Sequence, residues 1–322
     1  MTMPKIDKYT PWLAPLAGYS DLPFRLLCRQ YGCKVACTEM VSVKGLLYAG
    51  KTTRRLLATT EDDLPLVVQL FGSEPELFPE VVEQLVEDGY SSFDLNSGCP
   101  VKKVLKSGSG SALHLEPKKL QAIAKNMVKA AGNASVGVKI RLGYYIDDDN
   151  FVDIAKSLED VGVSWITMHP RYAKQMFMGH ADWTKLNRLK EAVSIPVIAS
   201  GDLFTAEDGV RCINETGVDG LMFARGALYD PSIFAQYIKL ISGEEAEPPN
   251  GHLLAQILRD HIRISREVDD TERSFRKIRS IAPRYAKGLN GVRTLRHHLT
   301  QCKKWEELES AATMLEELDV AR

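Results

Sequence analysis

Short apolar runs recur along most of the chain, each separated from the next by an amphipathic helical stretch, and this alternation constrains the fold more than any other feature. It is the signature of βα units around a parallel sheet, whose strands are covered on both faces and have no polar side to show. Eight runs can be counted: Trp12 to Leu16, Val35 to Glu39, Leu66 to Phe71, Ser92 to Leu95, Val136 to Leu142, Trp165 to His169, Val197 to Ser200 and Gly220 to Ala224. Between them, Glu76 to Asp88 brings Leu77, Val81, Leu85 and Val86 near helical spacing and stops at Gly89; Pro117 to Ala131 and Asn150 to Val161 behave alike. Several runs end in polar or glycine residues, as in Asp94-Leu95-Asn96, Lys139-Ile140-Arg141 and Ser200-Gly201-Asp202. That ending reads as function at strand C-termini. A doubly wound open sheet would produce a similar text, so the last two strands carry the distinction.

Those strands end in two glycine-bearing loops, Ser200-Gly201-Asp202 and Ala224-Arg225-Gly226. In a TIM (β/α)8 barrel the loops after the seventh and eighth strands commonly hold a phosphate on backbone N–H groups, and Arg225 would add charge. Tight turns alone explain Gly201 and Gly226 equally well. At 322 residues the chain is long enough for such a barrel plus an appendage. A segment rich in Glu and Pro, Gly243 to Gly251, reads as a linker into wholly helical sequence, which gives an α/β TIM barrel over 1–243 and a smaller all-helical domain over 252–322.

Composition excludes other classes. Hydrophobic residues at 44% and charged residues at 26% argue against extended disorder and against fibres, and a net charge of -1 says nothing until the charges are located. Six cysteines are too sparse for a disulfide framework, and Cys28, Cys33 and Cys37 match no zinc spacing, so a reducing cytoplasm is expected and no metal. The polar start, Met1 to Thr10, and the lack of a long apolar stretch predict a soluble protein away from membranes.

The strongest local signal is Asn96-Ser97-Gly98-Cys99-Pro100 at a strand end, followed by Lys102, Lys103 and the loop Ser107 to Ser111. A cysteine on a flexible basic loop differs from the buried cysteines of ordinary cores, and the other five are assigned to packing. Lys139 inside an apolar run is costly to bury without a partner, which favours function. His169 gains weight from its strand end and from Arg171 nearby. From Arg273 through His298 there are eight Lys and Arg residues and no acidic one, among them Arg276, Lys277, Arg279 and Lys287, with Phe275 and Tyr285 interleaved. Such a patch fits phosphates.

Read in order, these segments resemble the tRNA-dihydrouridine synthase family. Ala14-Pro15-Leu16-Ala17-Gly18, Gln69-Leu70-Phe71-Gly72, Asn96 to Pro100, Val138 to Gly143, His169 with Arg171, Gly179 with Ala181-Asp182-Trp183 and Arg225-Gly226-Ala227-Leu228 carry the likeness over nearly all of the barrel. Arg276-Lys277 and Tyr285 to Leu289 extend it into the tail. The resemblance implies FMN, reduced by NADPH, giving hydride to C6 of a uracil in tRNA while Cys99 protonates C5; an unperturbed thiol is still protonated at neutral pH. It implies flavin contacts from Ala14, Pro15, Leu16, Gln69, Lys139 and His169, with Ser200, Gly201, Asp202, Ala224, Arg225 and Gly226 about the phosphate and ribityl chain. Asn96, Arg141 and Arg171 are expected at the substrate, with Arg276, Lys277, Arg279 and Lys287 on the RNA and the chain a monomer. Pro170, Tyr172, His180, Ser200 and Ala224 depart from the family's usual residues, which suggests a divergent member. The competing readings are an FMN barrel acting on a free pyrimidine, as a dihydroorotate dehydrogenase does, and a non-catalytic RNA-binding protein; the basic tail argues against the first, and Cys99, Lys139 and His169 together against the second.

Overall fold

The computed structural model describes residues 3–48, 50–287 and 292–318. Gly288 and Leu289 of the tail likeness lie outside them. Its strands are β1 (Trp12–Leu13), β2 (Val35–Cys37), β3 (Val41–Ser42), β4 (Leu66–Phe71), β5 (Ser92–Ser97), β6 (Ser135–Arg141), β7 (Trp165–His169), β8 (Val197–Ser200) and β9 (Gly220–Phe223). Every pairing is parallel, and because β2 joins both β1 and β4 the sheet closes on itself as a TIM barrel. The ring has eight places. β2 and β3 share one, since Cys37 pairs with Val67 and Val41 with Leu70, four residues advancing against three. That is a bulge, and at its start the Thr38 hydroxyl accepts from the Gln69 backbone N–H at 3.1 Å in place of a ladder bond.

The eight expected runs are all strands, Leu66–Phe71, Trp165–His169 and Val197–Ser200 at the expected bounds and the other five with shifted ends. β1 stops at Leu13 because Pro15 has no N–H to offer, although Ala14 N still donates to the Phe223 carbonyl at 2.8 Å. β5 runs two residues further than expected, its polar end paired with β6 through Asn96 and Lys139.

Side chains alternate across each strand. Val68, Leu70, Phe93, Leu95, Val138, Ile140, Ile166 and Met168 point outward into the large core beneath the helices. Inward, Trp12, Val35, Val67, Trp165, Ile198 and Met222 form a separate apolar floor. Further along their strands, those same inward faces carry Gln69 and Ser200, two residues on, and His169, four residues on, and the neighbouring strands add Asn96 and Lys139. The barrel is therefore greasy below and polar at its C-terminal mouth.

Beyond the linker the chain is helical: Gly251–Asp269, Glu272–Ile281, Val292–Gln301 and Trp305–Glu316. Asn250 and Thr271 cap the first two by accepting from Leu253 and Ser274 backbone N–H groups. The tail packs on the barrel helix Leu22–Gln30: Ile257, Leu258 and Tyr285 join Phe24 and Leu27 in one core, and Asp260 accepts from Gln30 and Tyr31 at 2.8 and 2.9 Å. Among the described residues no helix is long and apolar enough to cross a membrane.

Candidate active site

A cavity of about 240 Å³ opens at the C-terminal mouth. Ala14, Pro15 and Leu16 form one wall, Asn96 and Cys99 another, and Lys139, Arg141 and His169 rise from β6 and β7. Ser200, Gly201 and Asp202 close it from β8, Ala224 and Arg225 from β9. Segments more than two hundred residues apart in sequence thus converge on one cavity.

Cys99 lines the cavity and is held from both sides. Its backbone N–H donates to Asn96 Oδ1 at 3.0 Å, and its carbonyl accepts from the Ser111 N–H and hydroxyl, each at 3.0 Å. Gly110 makes this clasp possible, with φ of 62° and room for a Cβ denied by the Cys99 carbonyl at 2.6 Å. Burial pushes the thiol above its ordinary pKa, outweighing the Val101 N–H and the charges of Arg141 and Lys139. It therefore stays protonated at neutral pH, which suits a proton donor rather than a thiolate nucleophile.

Asn96 is itself fixed by a chain of amides. The carboxylate of Asp94, fully buried, accepts from Gln69 Nε2 at 2.7 Å; Gln69 Oε1 accepts from Asn96 Nδ2 at 2.8 Å. Asn96 keeps one weakly engaged donor, aimed at Met40 Sδ at 3.7 Å. Gln69 thus sits behind the cavity wall. Sequence reasoning gave Asp94 no role, although it lies two residues before Asn96 and so on the same face of the strand.

The cations divide into free and engaged. Lys139 makes no hydrogen bond or ion pair among the described residues; burial pulls its pKa down, with the Asp94 charge opposing. His169 is held neutral by burial first and then by Arg141, Lys139, Arg171 and Arg225. Arg171 Nη1 lies 3.1 Å from His169 Nε2 and can only donate, so Nε2 accepts and the ring proton sits on Nδ1. Gly201, at φ of 108°, lets the next loop lie on that ring, where a Cβ would come within 2.5 Å.

Arg171, expected at the substrate, is instead buried beneath the wall. Its five donors reach the Met178 and Gly179 carbonyls, His169 and both oxygens of Asp202 at 2.7 and 2.8 Å. It braces the loop and has no donor left for a ligand. Arg141 lines the cavity but holds the Gly98, Tyr172 and Met176 carbonyls at 2.8 to 3.0 Å. Burial would raise Asp202, yet hydrogen bonds from Arg171 and Ala181 N–H and the charge of Arg225 bring it below the usual carboxylate range. Gly226 lies off the wall, its missing side chain making room for the Leu203 carbonyl, which a Cβ would meet at 2.6 Å.

The tail patch is less free than its sequence suggests. Lys277 pairs with Asp21 at 2.7 Å and Glu39 at 3.4 Å of the barrel, and Arg276 with Glu272 at 2.8 Å. Arg279 donates to the Cys302 carbonyl, and Lys287 lies over the Tyr229 ring at 3.6 Å. Residues missed from the sequence include Met40, Val101, Phe177, Leu203 and Phe204, which line the cavity from irregular loops without a periodic signal.

Comparison with known proteins identifies the family. The profile of the dihydrouridine synthase (Dus) family matches residues 12–320. A probable tRNA-dihydrouridine synthase 1 of Synechocystis sp. is 34% identical over 296 residues, 91% of this chain and 82% of its own. A tRNA-dihydrouridine synthase B of Vibrio parahaemolyticus is 39% identical over 225 residues, 70% and 69% of the two chains. Among solved structures, the old yellow enzyme homologue of Zymomonas mobilis has a TM-score of 0.53 at 10% identity, covering 74% of this chain and 92% of its own, and a 2-naphthoyl-CoA reductase complex has 0.56 at 11%, covering 73% and 50%. These last two bear on the fold alone. The chain belongs to the dihydrouridine synthase family.

Proposed function

We propose that the chain reduces a uridine of tRNA to 5,6-dihydrouridine with FMN as cofactor, NADPH as reductant and the Cys99 thiol as proton source. The observation that carries this reading is a protonated, doubly anchored Cys99 sharing one cavity with Lys139, a cation free of any partner among the described residues. An unpartnered lysine in a mostly buried wall needs an electron-rich ligand, and the pyrimidine end of a flavin has that character. When bound, FMN would supply to C6 of the base the hydride it takes from NADPH.

The protein's own share follows from its side chains. Lys139 and the Nδ1–H of neutral His169 would hold the flavin ring, Ala14, Pro15 and Leu16 would lie against it, and Arg225, half-exposed and paired with Asp202 at 3.1 Å, would turn to the phosphate. Ser200, Gly201 and Ala224 supply backbone and small side chains that let the ribityl chain approach closely. The remaining Asn96 donor would take the base edge. As electron density builds on the C4 carbonyl side, the Cys99 Sγ–H would deliver its proton to C5.

The test is nucleoside mass spectrometry of unmodified tRNA incubated with protein, FMN and NADPH. Dihydrouridine is expected with the native protein, and a loss of at least about a hundredfold with Cys99→Ala, the usual range for removing a general acid. Equal product from both would remove Cys99 from this role.

A further inference from the structure

Tyr145 at 54%, Ile146 at 61% and Met178 at 67% are among the most exposed large apolar side chains described, and all three sit on two adjoining loops after β6 and β7. Phe177, half-exposed, carries this surface into the cavity wall. Exposed apolar side chains gathered on two tied loops beside the mouth of a polar cavity need a partner, and we call this set the lip.

The lip is built rather than loose. Ala173 and Lys174 backbone N–H groups donate to the Gly143 and Tyr144 carbonyls at 3.0 Å, which ties the two loops together. Buried Arg141 holds the Met176 carbonyl, and buried Arg171 those of Met178 and Gly179. Between these anchors Met176 sits at φ of 57°, in the left-handed region. Cations lie over the rings: Lys174 at 5.4 and 5.9 Å from the Tyr144 and Tyr145 centroids, Arg141 and Arg225 at 5.5 and 5.1 Å from Phe177. Lys174 has no ion pair among the described residues.

We propose that this lip, centred on Tyr145 and Met178, is a stacking platform for the unpaired bases that flank the reduced uridine. The inference rests on the functional reading above. Aromatic faces interleaved with cations, held by backbone hydrogen bonds and joined through Phe177 to the pocket that takes the target base, match the chemistry of single-stranded RNA. Asp147 and Asp148 on the same loop repel phosphate, so the platform takes base faces while the backbone runs elsewhere. Asp149 is already engaged by Tyr172 and Lys185.

The test measures binding of an unmodified tRNA transcript to FMN-loaded protein by fluorescence anisotropy, for Tyr145→Ala, Tyr145→Leu and Tyr145→Trp. Loss of one stacked base predicts a Kd about tenfold weaker for Ala. Leu should be as weak as Ala, Trp should bind within about twofold of the native protein, and the salt dependence should be unchanged in all three because no phosphate contact is lost. Native affinity in the Ala variant overturns the platform, as does native affinity in the Leu variant, which would indicate a merely apolar contact such as a protein partner. A native protein that forms dihydrouridine while Tyr145→Ala binds normally rejects the platform alone. A native protein that forms none rejects the functional reading and the platform with it.

Discussion

Asn96 cannot turn over without breaking its hydrogen bonds to Gln69, Gly98 and Cys99, and this makes the polarity of its neighbours testable. Its Oδ1 accepts from Gly98 and Cys99, so its Nδ2 must face Gln69 Oε1, and Gln69 must then donate to Asp94. Gln69→Glu sets a second carboxylate against Asp94 in a buried site, and one of the two must stay uncharged or unpaired. We expect a loss of about 3 kcal/mol in urea unfolding. Adding Asp94→Asn restores a donor facing an acceptor, and the double variant should recover more than half of that loss; a double variant as weak as the single one would dismiss the chain. Gly201→Ala is a steric test at the same scale. The left-handed φ and the 2.5 Å approach to His169 together predict a displaced ring and FMN affinity at least about tenfold weaker, read by flavin fluorescence titration.

At the scale of elements, strand positions were legible because burial on both faces writes long apolar runs, and a residue such as Lys139 within a run stands out. The bulge between β2 and β3 was not, since its signal is one extra residue and a Thr38 hydroxyl replacing a backbone acceptor. Nor was the division among the arginines: Arg141 and Arg171 look alike in sequence, and only the carbonyls of a loop with no periodicity, Tyr172 to Gly179, show which donors remain. The packing of the tail helix on the barrel was equally silent. His261, fully buried between Phe24 and Tyr285 and bonded to the Tyr285 hydroxyl at 2.8 Å, reads in sequence as any helical histidine. Burial holds its pKa down to about 3, with Lys277 adding to the effect. The unfolded chain takes up this proton near pH 6.5 while the folded one does not, so the folded state loses stability as pH falls below about 6.5. Relative to His261→Asn, the native protein should lose about 1 kcal/mol more per pH unit between pH 6 and 4. Parallel pH dependence in the two proteins would show that the site accepts the proton.

For the whole molecule, the run of tail cations free of acidic residues in sequence includes one that meets its counter-charges in space, more than two hundred residues away. Lys277 meets Asp21 and Glu39, whose carboxylates lie on the barrel, and Glu39 also accepts from the Gly18 N–H beside the cavity wall. One cation therefore ties tail to barrel. Arg273, Arg293 and Arg296 are exposed and have no ion pair among the described residues, and Arg273 and Arg293 also make no side-chain hydrogen bond there, so these two are the clearest candidates to meet phosphates. The two groups should separate in one pair of measurements. Lys277→Ala leaves two carboxylates facing each other, of which Asp21 is already raised by burial, and should lower stability by roughly 1–3 kcal/mol in urea unfolding. Its slope of log Kd against log salt for tRNA should stay at the native value. Arg273→Ala and Arg293→Ala should leave stability within about 0.5 kcal/mol and each reduce that slope by about 0.7 to 0.9, the loss of one neutralised phosphate. A reduced slope in Lys277→Ala at native stability would mean that its ion pairs open when RNA arrives, and that the barrel carboxylates then serve as a gate rather than a fastening.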